Sequence, residues 1–242
     1  MKGPLENRKH CFGWRIASLG VFLLTLGTII ACLPSKFSIP PLPSRMESIE
    51  GYGALRITGN QGSSKTRFSF LFFLPHQGRI ESFDFIGRPL YYILIDKVKS
   101  FFVLPSKKVY WEGDVEEITL RFLGFSLNQY EMVSLLSGQL TGEVMSLEAE
   151  RALKKWRFER DERGRIVSGQ REEFCFEVQE FFADSPLARL ILFHHPWSEG
   201  RLKILKINFN QPIRSVAFSR PFLERYELKS WAEIEELIGD ES

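Results

Sequence analysis

The chain has few of the residue types from which catalytic and metal sites are built. Its 242 residues include 3 cysteines and 4 histidines, and the sequence contains no GxSxG, HExxH, Walker or GxGxxG motif. The adjacent His194 and His195 lie in a segment with strand composition, where neighbouring side chains point to opposite faces and cannot bind one ion together. We therefore expect no enzyme activity, no metal site and no cofactor.

A full-length transmembrane run is also lacking, although an uncharged apolar stretch extends from Ile16 to Cys32. It is shorter than the roughly 20 residues of a spanning helix, and a basic segment precedes it. Its last residues, Ile29-Ile30-Ala31-Cys32, resemble a bacterial lipobox. We expect residues 1–31 to be a lipoprotein signal peptide and Cys32 to be the lipidated first residue of the mature protein. An uncleaved membrane anchor is the alternative, and the length of the run argues against it.

Cleavage of the predicted signal peptide would remove the net positive charge of the chain. Residues 1–31 carry four basic residues and one acidic residue, a net +3, so the formal charge changes from +2 to about −1. The pair Lys154-Lys155 then fits a solvated face, and nucleic acid is not expected as a partner. Only Cys175 remains in the folded part, which excludes an internal disulfide and predicts a small buried thiol.

Proline marks the segment that follows the lipidated cysteine. Pro34, Pro40, Pro41 and Pro43 favour an extended backbone, and we predict a tether over residues 32–48. Residues 49–242 are predicted to form one domain with a helical extension at its C-terminal end.

Short runs of β-branched and aromatic residues, separated by Gly, Asn, Pro and Ser, dominate the predicted domain. We predict strands over residues 52–59, 65–74, 79–86, 90–96, 100–104, 108–112, 152–160, 165–182, 186–194, 200–209 and 214–219. Strands that enclose a helical pair and precede a last helix predict an α+β fold, in which covering helices pack on a strongly curved antiparallel sheet.

Helical spacing appears in three places. Two short helices are predicted to end at Gly124 and Gly138, because glycine is favoured at the C-cap. Asn128 with Glu131 predicts a capping box for the second helix, with Ser126 as a competing cap. A last helix is predicted to begin at Ser230, with Glu233 completing another capping box.

Phenylalanine is abundant, with 22 residues. Strand alternation places Phe68, Phe70 and Phe72 on one face of the sheet. Because three short helices cannot easily fill a curved sheet, we predict an apolar cavity, with an ordinary filled core as the alternative. The predicted lining residues are Phe70, Phe72, Phe83, Leu94, Phe102, Trp111, Trp156 and Phe176.

The order of segments between Gly51 and Gly138 resembles the LolB family of outer-membrane lipoprotein receptors. The stretch GYGALRITGNQGSSKTRFSFLFFLP is similar to the family's opening hairpin, and RIESFDFIGRPLYYILID to its third and fourth strands. The segment from KKVYWEGDVEEITL to MVSLLSG resembles its strand, its helical pair and its Leu-x-Gly ending. This resemblance implies an incomplete LolA/LolB-like barrel whose apolar cavity holds acyl chains.

The resemblance also implies a role for one turn. In this family an apolar side chain projects from the turn that corresponds here to Phe85-Ile86-Gly87 and helps to deliver cargo to the membrane; Ile86 occupies that position. The family's commoner residue is Leu, and β-branched Ile is stiffer and reaches less far. Ordinary turn packing is the alternative.

The implied function is receipt of acylated lipoproteins from a LolA-like periplasmic carrier and their insertion into the outer membrane. The implied partners are the carrier, the acyl chains of its cargo, and the bilayer that holds lipidated Cys32; we expect a monomer. Leu33, rather than Asp, follows Cys32, which favours the outer membrane by analogy with enterobacterial sorting. The alternative is a LolB-shaped envelope lipoprotein that binds another lipid or scaffolds a complex.

Overall fold

The computed structural model of the protein describes residues 39, 41–59, 62–138 and 147–239. The predicted signal peptide and the lipidation site Cys32 lie outside these residues. Residues from Ile39 onward belong to one compact unit, and its main core draws on side chains from Ile39 to Ile238.

Twelve strands form a single sheet. They are β1 (Ser48–Gly59), β2 (Gly62–Phe73), β3 (Gln77–Phe83), β4 (Pro89–Ile95), β5 (Ser100–Leu104), β6 (Val109–Gly113), β7 (Arg157–Arg160), β8 (Ile166–Arg171), β9 (Phe174–Phe181), β10 (Ala188–His195), β11 (Ser198–Phe209) and β12 (Glu227–Leu228). The order across the sheet is β12-β6-β5-β4-β3-β2-β1-β11-β10-β9-β8-β7, and β12 pairs in parallel with β6 whereas the other pairs are antiparallel. Since β12 and β7 end the order, the sheet is open.

Four helices accompany the sheet: α1 (Val115–Leu123), α2 (Gln129–Ser137), α3 (Leu147–Leu153) and α4 (Trp231–Gly239). Residues of all four helices join side chains from one face of the sheet in a single core. A sheet of twelve strands can gather one face around one core only by curling, so the predicted α+β class with a strongly curved, incomplete barrel is confirmed. Among the described residues, no helix has the length and apolar character needed to cross a bilayer.

The predicted helix ends are confirmed. Gly124 and Gly138 cap α1 and α2 with positive φ values of 83° and 65°. Asn128, and not Ser126, caps α2, and Glu131 completes the capping box. At α4 the backbone N–H of Ser230 donates to Glu233 at 2.8 Å, as the second predicted box requires.

Three element predictions are wrong. The strand predicted over 165–182 is a hairpin, β8 and β9, because Glu172 takes a positive φ of 55° that alternation does not reveal. The strand predicted over 152–160 begins with the end of α3, and only Arg157–Arg160 is extended. The strand predicted over 214–219 contains a 3₁₀ turn at Ser215–Phe218, since its apolar residues pack without a neighbouring strand.

Packing also begins earlier than the predicted tether allows. The side chains of Ile39, Leu42 and Met46 pack against the main core, and β1 begins at Ser48. The second half of the segment predicted as an unpacked tether therefore belongs to the folded unit, because its apolar residues alternate with the prolines.

Phenylalanine rings and glycines face one another across the inner side of the sheet. Phe70 lies opposite Gly51, and Phe176 opposite Gly169. A Cβ added to either glycine would come within 2.4 Å of the opposing ring, so the rings lie over the glycines. The pairs Phe68 with Gly53, Phe72 with Gly78 and Phe193 with Gly200 repeat the arrangement. Glycine without a side chain also permits the sheet to bend at these points.

Candidate lipid-binding face and projecting turn

An aromatic group lies beneath α1 and α4 on the inner face of the sheet. Phe102 is fully buried and contacts Phe122 of α1 and Trp231 of α4, with ring centroids 4.9 and 5.6 Å apart. Trp111 meets Trp231 edge to face at 5.3 Å. The helix α4 therefore covers two of the predicted cavity residues with one tryptophan.

A second aromatic group lies farther along the inner face. Trp156 packs on Phe158, Phe174 and Phe176 with ring centroids between 5.5 and 5.8 Å apart. Its indole N–H donates to the buried Glu131 of α2 at 2.8 Å. This contact joins Trp156, one of the predicted cavity residues, to helix α2.

The structure brings six of the eight predicted cavity residues to the inner face. They are Phe70, Phe72, Phe102, Trp111, Trp156 and Phe176, all buried in the main core. Each is packed by neighbouring side chains, so the six residues belong to a filled core.

Phe83 and Leu94 lie on the other face, which corrects their predicted position. Leu94 joins Phe101 and Val103 in a separate small cluster on the outer side of β4 and β5. Phe83 of β3 pairs with Arg67 of β2. Arg67 is the neighbour of inward-facing Phe68, and adjacent residues of a strand point to opposite faces, so the Arg67–Phe83 pair faces outward. A one-residue error of phase moves a strand side chain to the opposite face.

The predicted projecting turn is exposed. It connects β3 to β4 through Asp84-Phe85-Ile86-Gly87-Arg88, with Phe85 91% and Ile86 60% exposed. Asp84 Oδ1 accepts hydrogen bonds from the backbone N–H groups of Ile86 at 2.9 Å and Arg88 at 2.8 Å. Gly87 has a φ of 85°, which favours glycine. The two apolar side chains are thus held outward by a hydrogen-bonded frame.

The same frame sets the acidity of Asp84. Desolvation acts to raise the pKa of this carboxyl, but the Arg88 guanidinium, at 2.7 Å, and the two backbone N–H groups outweigh it and hold the pKa below its usual value of 3.8. The carboxylate form, which the frame needs as an acceptor, is therefore the stable form near neutral pH.

Sequence reasoning missed a buried ion pair. Arg171 of β8 donates to Glu131, and their side chains are 11% and 2% exposed. The guanidinium also lies 5.2 Å from the Trp156 ring centroid. Glu131 was identified only as a capping residue; its partner lies 40 positions away in the sequence, and no local pattern connects the two.

Tyr91 was also missed. Burial raises the pKa of its hydroxyl above the usual 10.0, although a hydrogen bond from Ser82 opposes the shift. Its ring stacks on Phe122 at 5.3 Å and lies 5.2 Å from Phe102. Tyr91 lies two residues before inward-facing Ile93 in β4, so strand alternation could have identified it as an inward-facing residue.

The outer face of the sheet carries a groove lined by both charged and apolar residues. Its volume is about 1040 Å³, and Arg56, Arg157, Glu177, Glu199 and Arg201 are among its lining residues. Cys175 also lines it and is only half-buried, which corrects the predicted buried thiol: the inward positions of β9 belong to Phe174 and Phe176.

The fold and the site define a class of protein: an open, largely antiparallel half-barrel with helices over an aromatic inner face and with exposed apolar side chains in its turns, among them Phe85 and Ile86. No protein-family model matches the sequence, and no curated protein matches it.

Solved structures of similar fold include members of the LolA superfamily. A LolA superfamily protein from Nitrosomonas europaea is 12% identical, with 76% of this chain and 94% of that chain covered and a TM-score of 0.46. A domain described as a candidate outer membrane lipoprotein-sorting protein from Vibrio parahaemolyticus is 10% identical over 76% and 94% of the two chains, with a TM-score of 0.43. MucB in its complex with MucA from Pseudomonas aeruginosa is 10% identical over 73% and 57%, with a TM-score of 0.35.

Proposed function

We propose that this protein is an outer-membrane-anchored lipoprotein that receives acylated lipoproteins from a periplasmic carrier and helps to insert them into the bilayer. In this role Cys32 carries the lipid anchor, the inner face accepts acyl chains, and the Phe85-Ile86 turn enters the membrane. The observation that carries the proposal is the turn, which holds two large apolar side chains in water, 91% and 60% exposed, on a rigid frame.

Energetics favour a receptor that already sits at a bilayer. About 14 methylenes of one acyl chain contribute on the order of 11 kcal/mol when buried, before ordering costs. A bilayer is as apolar as the protein interior, so transfer from one to the other changes the free energy little. A turn that perturbs the bilayer surface shortens the path between them.

Helix α4 is the element whose movement would admit a chain. It covers Phe102 and Trp111 through Trp231, as described above, and it packs on the core through apolar side chains that include fully buried Ile234. Arg121 of α1 lies 3.5 Å from Glu235, and its guanidinium lies 5.3 Å from the Trp231 ring centroid. Because these groups are substantially exposed, the ion pair contributes little, in the range of 0–1 kcal/mol. Displacement of α4 would expose an aromatic surface suited to an acyl chain.

The proposal is tested by transfer of a labelled, acylated lipoprotein from its carrier to residues 33–242, and then to liposomes. This segment contains the whole compact unit that begins at Ile39. We expect the wild type to accept and release cargo, and Ile86→Glu to accept cargo but to release it at least tenfold more slowly, because a carboxylate resists entry into lipid.

Arg163→Glu is the matched control. Arg163 has the same place in the β7–β8 turn that Ile86 has in the β3–β4 turn, and we expect it to release cargo at the wild-type rate. A wild type that accepts no acylated protein would refute the proposal.

A lipoprotein of this shape that binds another lipid or scaffolds an envelope complex is the second candidate. The close packing of Phe102, which is fully buried, among the aromatic side chains favours it. Binding of a fluorescent fatty acid with displacement of Trp231 separates the lipid-binding roles from the scaffold, since a permanently filled core takes up none.

A further inference from the structure

Three cations form a straight row across the outer face of the central strands. Lys65 of β2 lies opposite Arg56 of β1, and Arg56 lies opposite Arg201 of β11. Directly opposite side chains on a sheet are about 5 Å apart at Cβ, where like charges destabilise the pairing. We call Lys65, Arg56 and Arg201 the basic row.

The protein itself does little to neutralise this row. All three side chains are exposed, and no ion pair between described residues includes any of them. Arg56 has a hydrogen bond of 3.4 Å to the Ser63 hydroxyl. Glu199, in the next row of β11, contacts His194 at 3.2 Å. Glu159, Glu177 and Glu199 line one groove with Arg56 and Arg201, but no ion pair between described residues joins them to the row, so its positive charge is available to an external partner.

The row lies beside the projecting turn. Phe83, the last residue of β3, lies opposite Arg67 of β2. Continuing that register by two residues places Phe85 level with Lys65, so the apolar turn and the three cations follow one another across the sheet. Exposed Leu192 of β10 lies opposite Arg201 and extends the line.

We propose that the basic row binds the anionic headgroups of the bilayer that the Phe85-Ile86 turn enters, so that this side of the sheet lies against the membrane. The inference rests on the proposed function for the presence of that bilayer. An anionic bilayer fits because apolar side chains and cations share one line, as at a lipid interface.

Distance decides which cations matter. The potential of an anionic surface falls off within a Debye length of about 8–10 Å. Of the other cations on this face, Arg157 also lines the groove, and Arg67 and Lys203 are each two residues, or roughly 7 Å, farther from the level of the turn. We therefore assign the largest share of headgroup binding to the row and a smaller share to Arg67 and Lys203.

The test measures binding of cargo-free residues 33–242 to sedimented vesicles of pure phosphatidylcholine and of phosphatidylcholine with 30% phosphatidylglycerol, chosen as on the order of a biological anionic content. The variants are Lys65→Gln/Arg56→Gln/Arg201→Gln, in the row, and Lys97→Gln/Arg163→Gln/Arg214→Gln, which removes three exposed cations elsewhere. Circular dichroism melting checks that both variants fold.

We expect the row variant to bind anionic vesicles about 100-fold more weakly than wild type, since each basic residue at such a surface contributes roughly fivefold, and to bind neutral vesicles as wild type does. The control variant should lose less than about fivefold. High salt should remove the difference between wild type and the row variant.

An equal loss of vesicle binding in the two triple variants would overturn the inference. Wild-type binding that is the same with and without phosphatidylglycerol would also overturn it. Binding of the row to an acidic protein instead of vesicles would also overturn it. None of these outcomes affects cargo acceptance from the carrier, so failure of this inference is distinguishable from failure of the proposed function.

Discussion

Two turns of this protein share one frame and differ at their tips. Asp84-Phe85-Ile86-Gly87-Arg88 connects β3 to β4, and Asp161-Glu162-Arg163-Gly164-Arg165 connects β7 to β8. In both, the aspartate Oδ1 accepts from the third and fifth residues of the turn, and its Oδ2 accepts from the arginine Nε at 2.7 and 2.8 Å. The fourth residue is a glycine with a φ of 85° or 75°. Strand direction puts the two turns at opposite ends of the sheet.

The difference between them lies in what the frame presents. One turn presents Phe85 and Ile86 to solvent, whereas the other presents Glu162 and Arg163. Because the frame is the same, turn geometry does not require apolar residues at the tip, and stability of the folded chain does not explain them either, since both side chains stand in water. The tip is therefore the part of the β3–β4 turn to which we assign the proposed role at the membrane.

Exchange of the tips should give the largest effect. Phe85→Glu/Ile86→Arg should lower vesicle binding by at least about 100-fold, because two apolar side chains contribute roughly 1.5–3 kcal/mol each when they leave water. The reciprocal Glu162→Phe/Arg163→Ile should leave insertion of cargo unchanged. Vesicle sedimentation and cargo transfer measure the two results, and equal transfer by both variants would show that the tip is not what distinguishes the turns.

Substitution of the turn glycines should give a smaller and equal effect in both turns. Gly87→Ala and Gly164→Ala each force alanine into a positive φ, while a Cβ at either position has no atom within 4 Å. The cost is backbone strain alone, about 1–2 kcal/mol of the free energy of unfolding. Urea denaturation checks this value, and a cost confined to one turn would mean that the frames differ.

Protonation of the turn aspartates should give the smallest effect. For Asp161, as for Asp84, desolvation raises the pKa, but hydrogen bonds from the arginine side chain and the backbone outweigh it, so that both pKa values lie below 3.8. A carboxyl with a lowered pKa in the folded state contributes stability above its unfolded value, and this is lost as pH falls through the folded pKa. Carboxyl ¹³C titration by NMR should give both midpoints below 3.8; a midpoint at or above that value in either turn would contradict the shared frame.

Much of the architecture could be predicted from local patterns. Alternation located the strands from β1 to β6, and the capping residues Asn128 and Ser230 located two helix starts, because these signals act between residues a few positions apart. The turn at Ile86 was identified from segment order, and its exposure agrees with the role assigned to it; the role itself stays a prediction. Cleavage after Ala31 and lipidation of Cys32 likewise stay predictions.

Other features required the fold. The hairpin at Glu172 was missed because this residue, which is not glycine, adopts a positive φ there. Neither the composition of the segment nor its strand alternation indicates such a turn. Phe83 and Leu94 were assigned to the wrong face. A strand has two faces, and the sequence alone does not determine which of the alternating residues face inward when apolar residues occur on both. The buried pair of Arg171 and Glu131 and the basic row join residues that are distant in the chain.

By itself the sequence determined most of the extended segments, the glycine ends of α1 and α2, the capped starts of α2 and α4, and which residues are apolar, since backbone preference and hydrophobicity are local properties. Only the tertiary structure decided which rings lie over which glycines, that α4 covers Phe102 and Trp111, and that Lys65, Arg56 and Arg201 stand side by side next to the projecting turn. Those outcomes depend on strand register and on the curl of the sheet, and both are set by the packing of the whole inner face at once.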